Sequence, residues 1–172
     1  SRLYVINEFK FWLEILKQTL IMKKLILTIT ISFFMACNMP QNISDQEANN
    51  TLDTLFEIVD NDIDRFGDIV TDDFFIFENS RTYTKDEFVD YVKSFGTFEA
   101  KRSFEDVVID TDQNSAHLSL KQHGEFIVTT PEGKIQMIFD WLESVYMIKE
   151  QEQLKVKFYF SEVVNDTIIS LN

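Results

Sequence analysis

The sequence predicts an α+β domain in which about three helices cover one face of a bent antiparallel sheet. Apolar residues recur at helical spacing up to about residue 95, and from about residue 98 they alternate with polar residues. Gly occurs only 4 times and Pro only 2 times in 172 residues, which favours long regular elements over elaborate loops. Helices followed by a run of strands are the order expected of an α+β fold.

The helices are predicted from capping signals and apolar stripes. Ser44 and Glu47 form the pattern of a capping box at the start of the first helix. The stripe of that helix follows at the spacing i, i+3, i+4, i+7, namely Leu52, Leu55, Phe56 and Val59. After an acidic break at 60–62, a short second helix is predicted with Ile63, Phe66, Ile69 and Val70 facing inward. The third helix begins with the capping box TKDE at 84–87, and Gly96 is predicted to end it.

Five strands are predicted from apolar runs and period-two alternation. The aromatic run FFIFEN at 74–79 predicts the first strand, and alternation predicts the others at about 98–110, 115–129, 134–149 and 153–164. The breaks between the last four are TDQN, TPEG and KEQEQ, of which TPEG is the clearest turn signal. Successive long strands with short breaks predict antiparallel hairpins.

The segment before the domain has the layout of an export signal. Lys23 and Lys24 precede the 12-residue apolar run LILTITISFFMA, which leads directly to Cys37. The sequence FMAC at 34–37 resembles the lipobox of bacterial lipoproteins, in which the cysteine is lipidated and the leader is cut before it. We therefore expect lipidation of Cys37 and an exported, lipid-anchored protein of the bacterial cell envelope. An ordinary signal peptide, or a buried segment with an inert thiol, remains the alternative.

This interpretation divides the chain into four parts. Residues 1–21 are expected to be sequence upstream of the leader, with an amphipathic helix as the alternative, and residues 22–36 to be the lipoprotein signal peptide. Residues 37–44 form a polar tether, and residues 45–172 form the domain.

The charge and the cysteine count exclude several classes of partner and site. The formal net charge is −13, so a positive face for nucleic acid is not expected, and membrane contact is expected through the anchor only. The single cysteine excludes an internal disulfide framework and a cysteine-rich metal site. The sequence has no glycine-rich phosphate loop, nucleophile elbow or metal-ligand spacing, so no cofactor and no metal are expected.

Three stretches carry a family resemblance: LFEIVDNDIDRFGDIVTDDFFIFEN, YTKDEFVDYV and WLESVYMIKEQEQLKVKFYFSEVV. Over about residues 45–164 the chain resembles the nuclear transport factor 2-like superfamily, close to its SnoaL-like and ketosteroid-isomerase-like branches. It implies a cone in which a curved sheet and helices enclose a cavity, and it makes a homodimer paired through the sheet an expectation. The same cone carries isomerases, dehydratases, carriers and interaction modules, so the fold leaves the function open.

Asp140 and Glu143 are the candidate catalytic residues, because they lie in the apolar stretch IQMIFDWLESVYMI. A carboxylate in apolar surroundings has a raised pKa and can act as a base near neutral pH. Since the two residues are three apart, they point to opposite faces of a strand, and at most one can line a cavity. An ion pair with a neighbouring strand, or an interface role, is the alternative.

Histidine and tyrosine side chains offer further candidates. His117 and His123 are six residues apart on one predicted strand, which places them on the same face roughly 20 Å apart and excludes a shared metal ion. A solvated polar face is the simpler interpretation, although in a cavity one histidine could serve as a base. Four tyrosines could supply a hydroxyl or simply pack with their hydroxyl groups satisfied: Tyr83, Tyr91, Tyr146 and Tyr159.

Aromatic residues near these carboxylates predict a site for an apolar ligand. The residues expected to bind it are Phe139, Trp141, Tyr146, Phe158 and Phe160, with packing in the core as the alternative for the phenylalanines. The leading functional expectation is a non-catalytic domain that binds a small apolar molecule or a protein partner, because the aromatic residues are abundant and a catalytic motif is absent. An isomerase or dehydratase using Asp140 or Glu143, and a dimeric scaffold, are the alternatives.

Overall fold

The computed structural model describes residues 17–18, 42–130 and 133–171. The chain divides into two compact units, Ser1–Gln41 and Asn42–Asn172, and the fold below is that of the second unit. The predicted leader and Cys37 lie outside the described residues. Within the described segments, none of the helices has the length and apolar character needed to cross a membrane.

Three helices form within residues 42–130, and two of them begin at the caps that the sequence predicts. Helix α1 spans Asp45–Asn61, a 3-10 turn spans Ile63–Arg65, α2 spans Phe66–Ile69 and α3 spans Lys85–Lys93. The Ser44 hydroxyl accepts a hydrogen bond from the Glu47 amide at 3.1 Å, which confirms the predicted start of α1. At α3 the box is reciprocal, since the Glu87 carboxylate also accepts from the Thr84 amide at 2.9 Å.

Six strands form one curved mixed sheet, which confirms the predicted α+β class. The strands are β1 (Val70–Glu78), β2 (Arg81–Thr84), β3 (Phe98–Thr111), β4 (Ser115–Thr130), β5 (Gly133–Glu150) and β6 (Gln153–Leu171). Their spatial order is β2-β1-β6-β5-β4-β3. All neighbours are antiparallel except β1 and β6, which are parallel, so the sheet differs from the expected antiparallel one at this junction. The chain between β1 and β6 crosses the whole sheet, and a connection of this kind permits parallel pairing.

Two boundaries and one additional strand differ from the prediction. Val70 begins β1 instead of ending the second helix, because a short apolar run such as IV satisfies both periodicities. Strand β2 was not predicted, since it is short and polar, and it pairs with β1 through a turn in which Asn79 and Ser80 have φ of 51° and 59°. Strand β6 continues to Leu171, beyond the predicted end at 164.

The core lies between the helices and one face of the sheet. Phe66 of α2 is fully buried and makes an edge contact with Phe74 of β1, the ring centroids being 5.2 Å apart. On β4, alternate residues such as Leu118 and Leu120 are buried in the same core. The opposite, outer face of β4 carries His117, Ser119, Lys121, His123 and Glu125, as the alternation predicts.

Candidate functional site

A hollow cavity of about 220 Å³ lies between the helices and the inner face of the sheet. Its walls include side chains from all three helices and from every strand except β2. Most of these side chains are apolar, and many are aromatic, among them Phe56, Phe88, Phe98, Phe126, Phe139 and Trp141. The aromatic side chains therefore do not fill the interior of the domain, and the remaining space is large enough for a small molecule.

Three buried polar atoms in this cavity have no hydrogen-bond partner among the described residues. They are Oε1 of Gln122, Oε2 of Glu143 and the hydroxyl oxygen of Tyr159, in side chains that are 2%, 7% and 4% exposed. Buried polar atoms in folded proteins are almost always bonded, because leaving one unsatisfied costs about 1–3 kcal/mol. One part of an otherwise apolar cavity can therefore form hydrogen bonds with polar atoms of a ligand.

The strand register brings these three residues together on adjacent strands. Glu143 of β5 lies opposite Ser161 of β6, while Gln122 of β4 lies opposite Trp141 and Tyr159 of β6 lies opposite Val145. Residues on one face that are offset by two positions on neighbouring strands are diagonal neighbours, about 7–8 Å apart. Glu143 consequently stands between Gln122 and Tyr159 on the cavity face.

Glu143 is the side chain of the site whose protonation changes near neutral pH. Burial raises the pKa of Glu143 to about 7, although the Tyr159 hydroxyl and the Arg102 guanidinium favour its ionised form, and the Glu78 carboxylate adds to the increase. The Tyr159 hydroxyl is near enough to affect the pKa of Glu143, but it lies outside hydrogen-bonding geometry with it. A carboxyl group with a pKa near 7 can both accept and donate a proton at neutral pH.

Glu78 is a second carboxyl group of the cavity that the sequence reasoning missed. It lies at the end of β1, beside β6, and burial raises its pKa against the effects of the Ser161 hydroxyl and Arg102. A signal for it was present, because Glu78 has the strand parity of the buried residues Phe74 and Ile76. The cavity therefore contains two carboxyl groups with raised pKa values.

Arg102 is held beside these carboxyl groups by a bidentate ion pair with Asp60. The Arg102 Nε and Nη2 atoms donate to the two Asp60 carboxylate oxygens at 2.8 Å and 2.7 Å, and the two side chains are only 13% and 15% exposed. The guanidinium carbon also lies 4.6 Å and 4.9 Å from the ring centroids of Phe56 and Phe126. The charge of Arg102 is thus balanced within the protein.

The two predicted carboxylates are placed on opposite faces, and only Glu143 lines the cavity. Asp140 lies on the outer face, where its carboxylate contacts His123 Nδ1 at 2.7 Å and accepts from Asn165 Nδ2 at 3.1 Å. Their hydrogen bond raises the pKa of His123 and lowers the pKa of Asp140. His117 is also outside the cavity, 2.8 Å from the Ser144 hydroxyl. The structure thus gives Asp140 an ion pair on the sheet exterior.

The predicted ligand-binding aromatic residues are divided between the two faces in the same way. Phe139 and Trp141 line the cavity, whereas Tyr146, Phe158 and Phe160 lie on the outer face, so the expectation of one common site is corrected. Phe158 instead packs against Phe75 and Phe77, with ring centroids 4.9 Å and 5.5 Å apart. The physical reason is strand parity, because adjacent residues of a strand point to opposite faces.

Of the candidate tyrosines, Tyr159 and Tyr91 reach the cavity. The Tyr91 hydroxyl accepts a hydrogen bond from Asn79 Nδ2 at 3.0 Å, and its ring stacks on Tyr83. Tyr83 is buried behind Tyr91, and Tyr146 is on the outer face. Tyr159 is the tyrosine with an unpartnered hydroxyl beside Glu143.

The rings of Phe126 and Trp141, which form the aromatic wall of the cavity, pack directly over Gly124, so a methyl group at this position is expected to disturb them. A Cβ atom at Gly124 would lie 2.8 Å from ring atoms of both Phe126 and Trp141. We expect Gly124→Ala to displace these rings, to change the near-ultraviolet circular dichroism of the aromatic residues and to cost roughly 1–3 kcal/mol of unfolding free energy. Urea denaturation of the full-length protein measures this loss.

Gly67→Ala is the matched control for this substitution. A Cβ atom at Gly67, in α2, meets nothing within 4 Å, so that variant should be as stable as the parent protein or slightly more stable. Equal stability of the Gly124 and Gly67 variants would show that the aromatic wall is not tightly packed over Gly124.

Several solved structures have a similar fold, although the sequence itself has no recognisable match. No family model and no curated protein matches the sequence. A candidate scytalone dehydratase from Novosphingobium aromaticivorans has a TM-score of 0.59 and 14% identity over 74% of this chain and 88% of its own. A hexachlorocyclohexane dehydrochlorinase (LinA, type 2) has a TM-score of 0.58 and 12% identity over 74% of this chain and 94% of its own.

A structure whose name indicates association instead of catalysis has the same fold. The association domain of Caenorhabditis elegans CaMKII has a TM-score of 0.57 and 13% identity over 68% of this chain and 93% of its own. Identities at this level carry information about the fold alone. The element order, the curved six-stranded sheet and these likenesses show that the described residues 42–130 and 133–171 adopt the nuclear transport factor 2-like cone fold.

Proposed function

We propose that this domain binds a small, largely apolar molecule in the cavity, with a polar group of that molecule at Gln122, Glu143 and Tyr159. The observation that carries the proposal is the combination of apolar walls with three buried, unpartnered polar atoms in one hollow space. At about 220 Å³ the space lies below the range of about 300–1,000 Å³ that holds drug-sized ligands, so the ligand is a molecule of one or two rings.

A pair of adjacent valines on β6 gives a direct test. Val163 lines the cavity, whereas Val164 is 55% exposed and does not. We expect calorimetry to detect 2-tetralone binding to the full-length protein and to Val164→Trp, and to detect none with Val163→Trp, whose indole fills the cavity. If both variants bind 2-tetralone as the parent does, the ligand site lies elsewhere.

The pKa of Glu143 favours a second candidate function, an isomerase or a dehydratase in which Glu143 transfers protons. A carboxyl group with a pKa of about 7 beside a tyrosine hydroxyl suits the removal of a proton from carbon and the stabilisation of the resulting oxyanion. The names of two similar structures, a dehydratase and a dehydrochlorinase, are consistent with this candidate.

Deuterium exchange separates catalysis from binding. Incorporation of deuterium next to the carbonyl group of 2-tetralone in D₂O can be followed by NMR. If Glu143 is a base, the parent protein accelerates the exchange and Glu143→Gln slows it at least about 100-fold, whereas Asp140→Asn, altered on the outer face of the same strand, keeps the parent rate. If 2-tetralone binds but its deuterium exchange is not accelerated, the catalytic candidate is wrong and only the binding function remains.

Self-association is a third candidate, supported by the outer face of the sheet. Phe77, Leu142 and Tyr146 are 42%, 46% and 37% exposed on that face, and an association domain shares the fold. Light scattering on the full-length protein in detergent is expected to give the mass of a dimer, and Leu142→Glu the mass of a monomer. A parent protein that is monomeric at all concentrations would contradict the scaffold candidate.

The lipid anchor remains a proposal that the leader pattern supports. The basic residues, the apolar run and FMAC at 34–37 favour export and acylation at Cys37. Intact mass after membrane extraction is expected to show a chain that begins at an acylated Cys37, and Cys37→Ser is expected to lose membrane association. Full-length, unacylated protein in the membrane fraction would contradict the anchor.

A further inference from the structure

The charges that line the cavity are not balanced. Glu78, Arg102 and Glu143 are its charged side chains among the described residues, and Arg102 is already paired with Asp60. In the described part of the chain, neither Glu78 nor Glu143 forms a salt bridge with a cation. A buried carboxylate without a counter-charge is costly, so a positive charge in the cavity would be stabilised strongly.

The three unpartnered oxygen atoms can all accept hydrogen bonds, so a group that carries several donors can satisfy them when Glu143 is ionised. Gln122 Oε1 and an ionised Glu143 Oε2 can only accept hydrogen bonds, and the Tyr159 hydroxyl oxygen can accept as well. A carboxylate or phosphate group offers acceptors only and would be repelled by both glutamates. An ammonium group carries three donors and no acceptor, which matches three accepting atoms.

The aromatic walls also favour a cation. Two of the cavity rings, Phe56 and Phe126, already have the Arg102 guanidinium over their faces. Beside Phe126 stand Phe139 and Trp141, whose ring centroids are 5.1 Å apart. The π face of an aromatic ring attracts ammonium groups, most strongly in a desolvated site and with tryptophan.

We infer that the ligand of this cavity is a hydrophobic primary amine, whose ammonium group donates to Gln122, Glu143 and Tyr159 while its apolar body lies against the aromatic walls. The inference rests on the binding function proposed above and names its ligand class. The body has one or two rings, because the cavity measures about 220 Å³. The net charge of −13 also favours the approach of cations from solution.

Amine binding depends on pH through Glu143. The groups around it are Tyr159 on β6, Glu78 on β1, and Arg102 on β3 with its partner Asp60 on α1, and Tyr91 of α3 also lines the cavity. Burial raises the pKa of both Tyr159 and Tyr91, so these hydroxyls stay neutral. An ammonium group binds best to ionised Glu143, so affinity for the amine falls as the pH falls through about 7.

Three probes with one body test the inference. Calorimetry compares 2-phenylethylamine, 2-phenylethanol and phenylacetate with the full-length protein at pH 8 and pH 6. At pH 8 we expect the amine to bind at least about tenfold more tightly than the alcohol, and phenylacetate to bind most weakly, because hydrogen bonds to charged groups are the strong ones. The amine should lose affinity at pH 6, whereas the alcohol should not.

Two carboxylate variants serve as test and control. Glu143→Gln keeps the shape but removes the charge, so the amine should lose its preference over the alcohol and its pH dependence. Asp140→Asn removes a carboxylate from the outer face of the same strand and should leave both intact.

The possible outcomes separate this inference from the binding function. If amine and alcohol bind with equal affinity and Val163→Trp abolishes both, the inference of an amine ligand is overturned. The cavity would then still be a binding site. An amine preference that survives in Glu143→Gln would also overturn it, by locating the cation away from the proposed atoms. If none of the three probes and not even 2-tetralone binds, both the inference and the proposed binding function fail.

Discussion

Glu143→Gln is expected to be more stable than the parent protein at pH 8 and no more stable at pH 4. The folded-state pKa of Glu143 is about 7, above its ordinary value of 4.5. Between these two pH values the folded chain holds a proton that the unfolded chain releases. The contribution of this group to stability therefore falls as the pH rises from about 4.5 to 7 and then stays constant. A shift of this size corresponds to about 3 kcal/mol, and Gln avoids that loss because it has no charge to bury.

Urea denaturation of both proteins at pH 4, 6 and 8 measures the difference. The advantage of the variant should be absent at pH 4, partial at pH 6 and complete at pH 8. Asp140→Asn is the control, because the pKa of Asp140 is lowered by His123, so its removal should bring no gain at any pH. An advantage of Glu143→Gln that is equal at all three pH values would mean that ionisation of Glu143 is not its cause.

Arg102→Met is expected to lose about 3–5 kcal/mol of unfolding free energy, because it leaves the Asp60 carboxylate without its bidentate partner in a site that is largely buried. The same variant removes a charge that favours ionised Glu143, so the pKa of Glu143 should rise above 7. Denaturation at pH 7 measures the first effect. The pH above which the advantage of Glu143→Gln stops growing in the Arg102→Met background measures the second, since that pH follows the folded-state pKa of Glu143.

The double variant Asp60→Leu/Arg102→Met separates charge from packing. It removes both members of the ion pair, so it should regain most of the stability that the single variant loses, since an apolar pair can replace a buried ion pair. If the double variant is as unstable as the single one, contacts of the guanidinium with Phe56 and Phe126 carry the stability instead of the ion pair.

Local signals in the sequence were sufficient for most elements. Ser44 and the TKDE stretch at 84–87 determine where α1 and α3 begin, because each capping interaction joins residues only three positions apart. Alternation predicted the bounds of β3, β4 and β5 closely, because it too is a local pattern, in which every second residue faces the same side. Strand β2 escaped prediction because its pairing with β1 depends on a two-residue turn with positive φ at Asn79 and Ser80, residues that carry no glycine signal.

The cavity was harder to predict, since it depends on how distant strands are aligned. Strand parity alone separates Asp140 from Glu143, and it would equally have separated Tyr146 from Trp141. The contact between Arg102 and Asp60 spans 42 positions of the sequence, and no local pattern indicates it. Strand parity with Leu118 and Leu120 places Gln122 on the inner face, but only the register of the sheet shows that it lies opposite Trp141.

The parallel junction of β1 with β6 has a consequence for the order in which the domain can assemble. Val70 pairs with Val156 and Phe77 with Phe160, so β1 pairs early with β2 on one side but finds its other neighbour only in the last strand. Contacts this distant in sequence form slowly, because the intervening chain must first be confined. During synthesis from the N-terminus, β1 has to wait until β6 has been made, and the cavity cannot close before then. If Cys37 is the export anchor that we propose, late closure would keep the chain open enough to be threaded across a membrane.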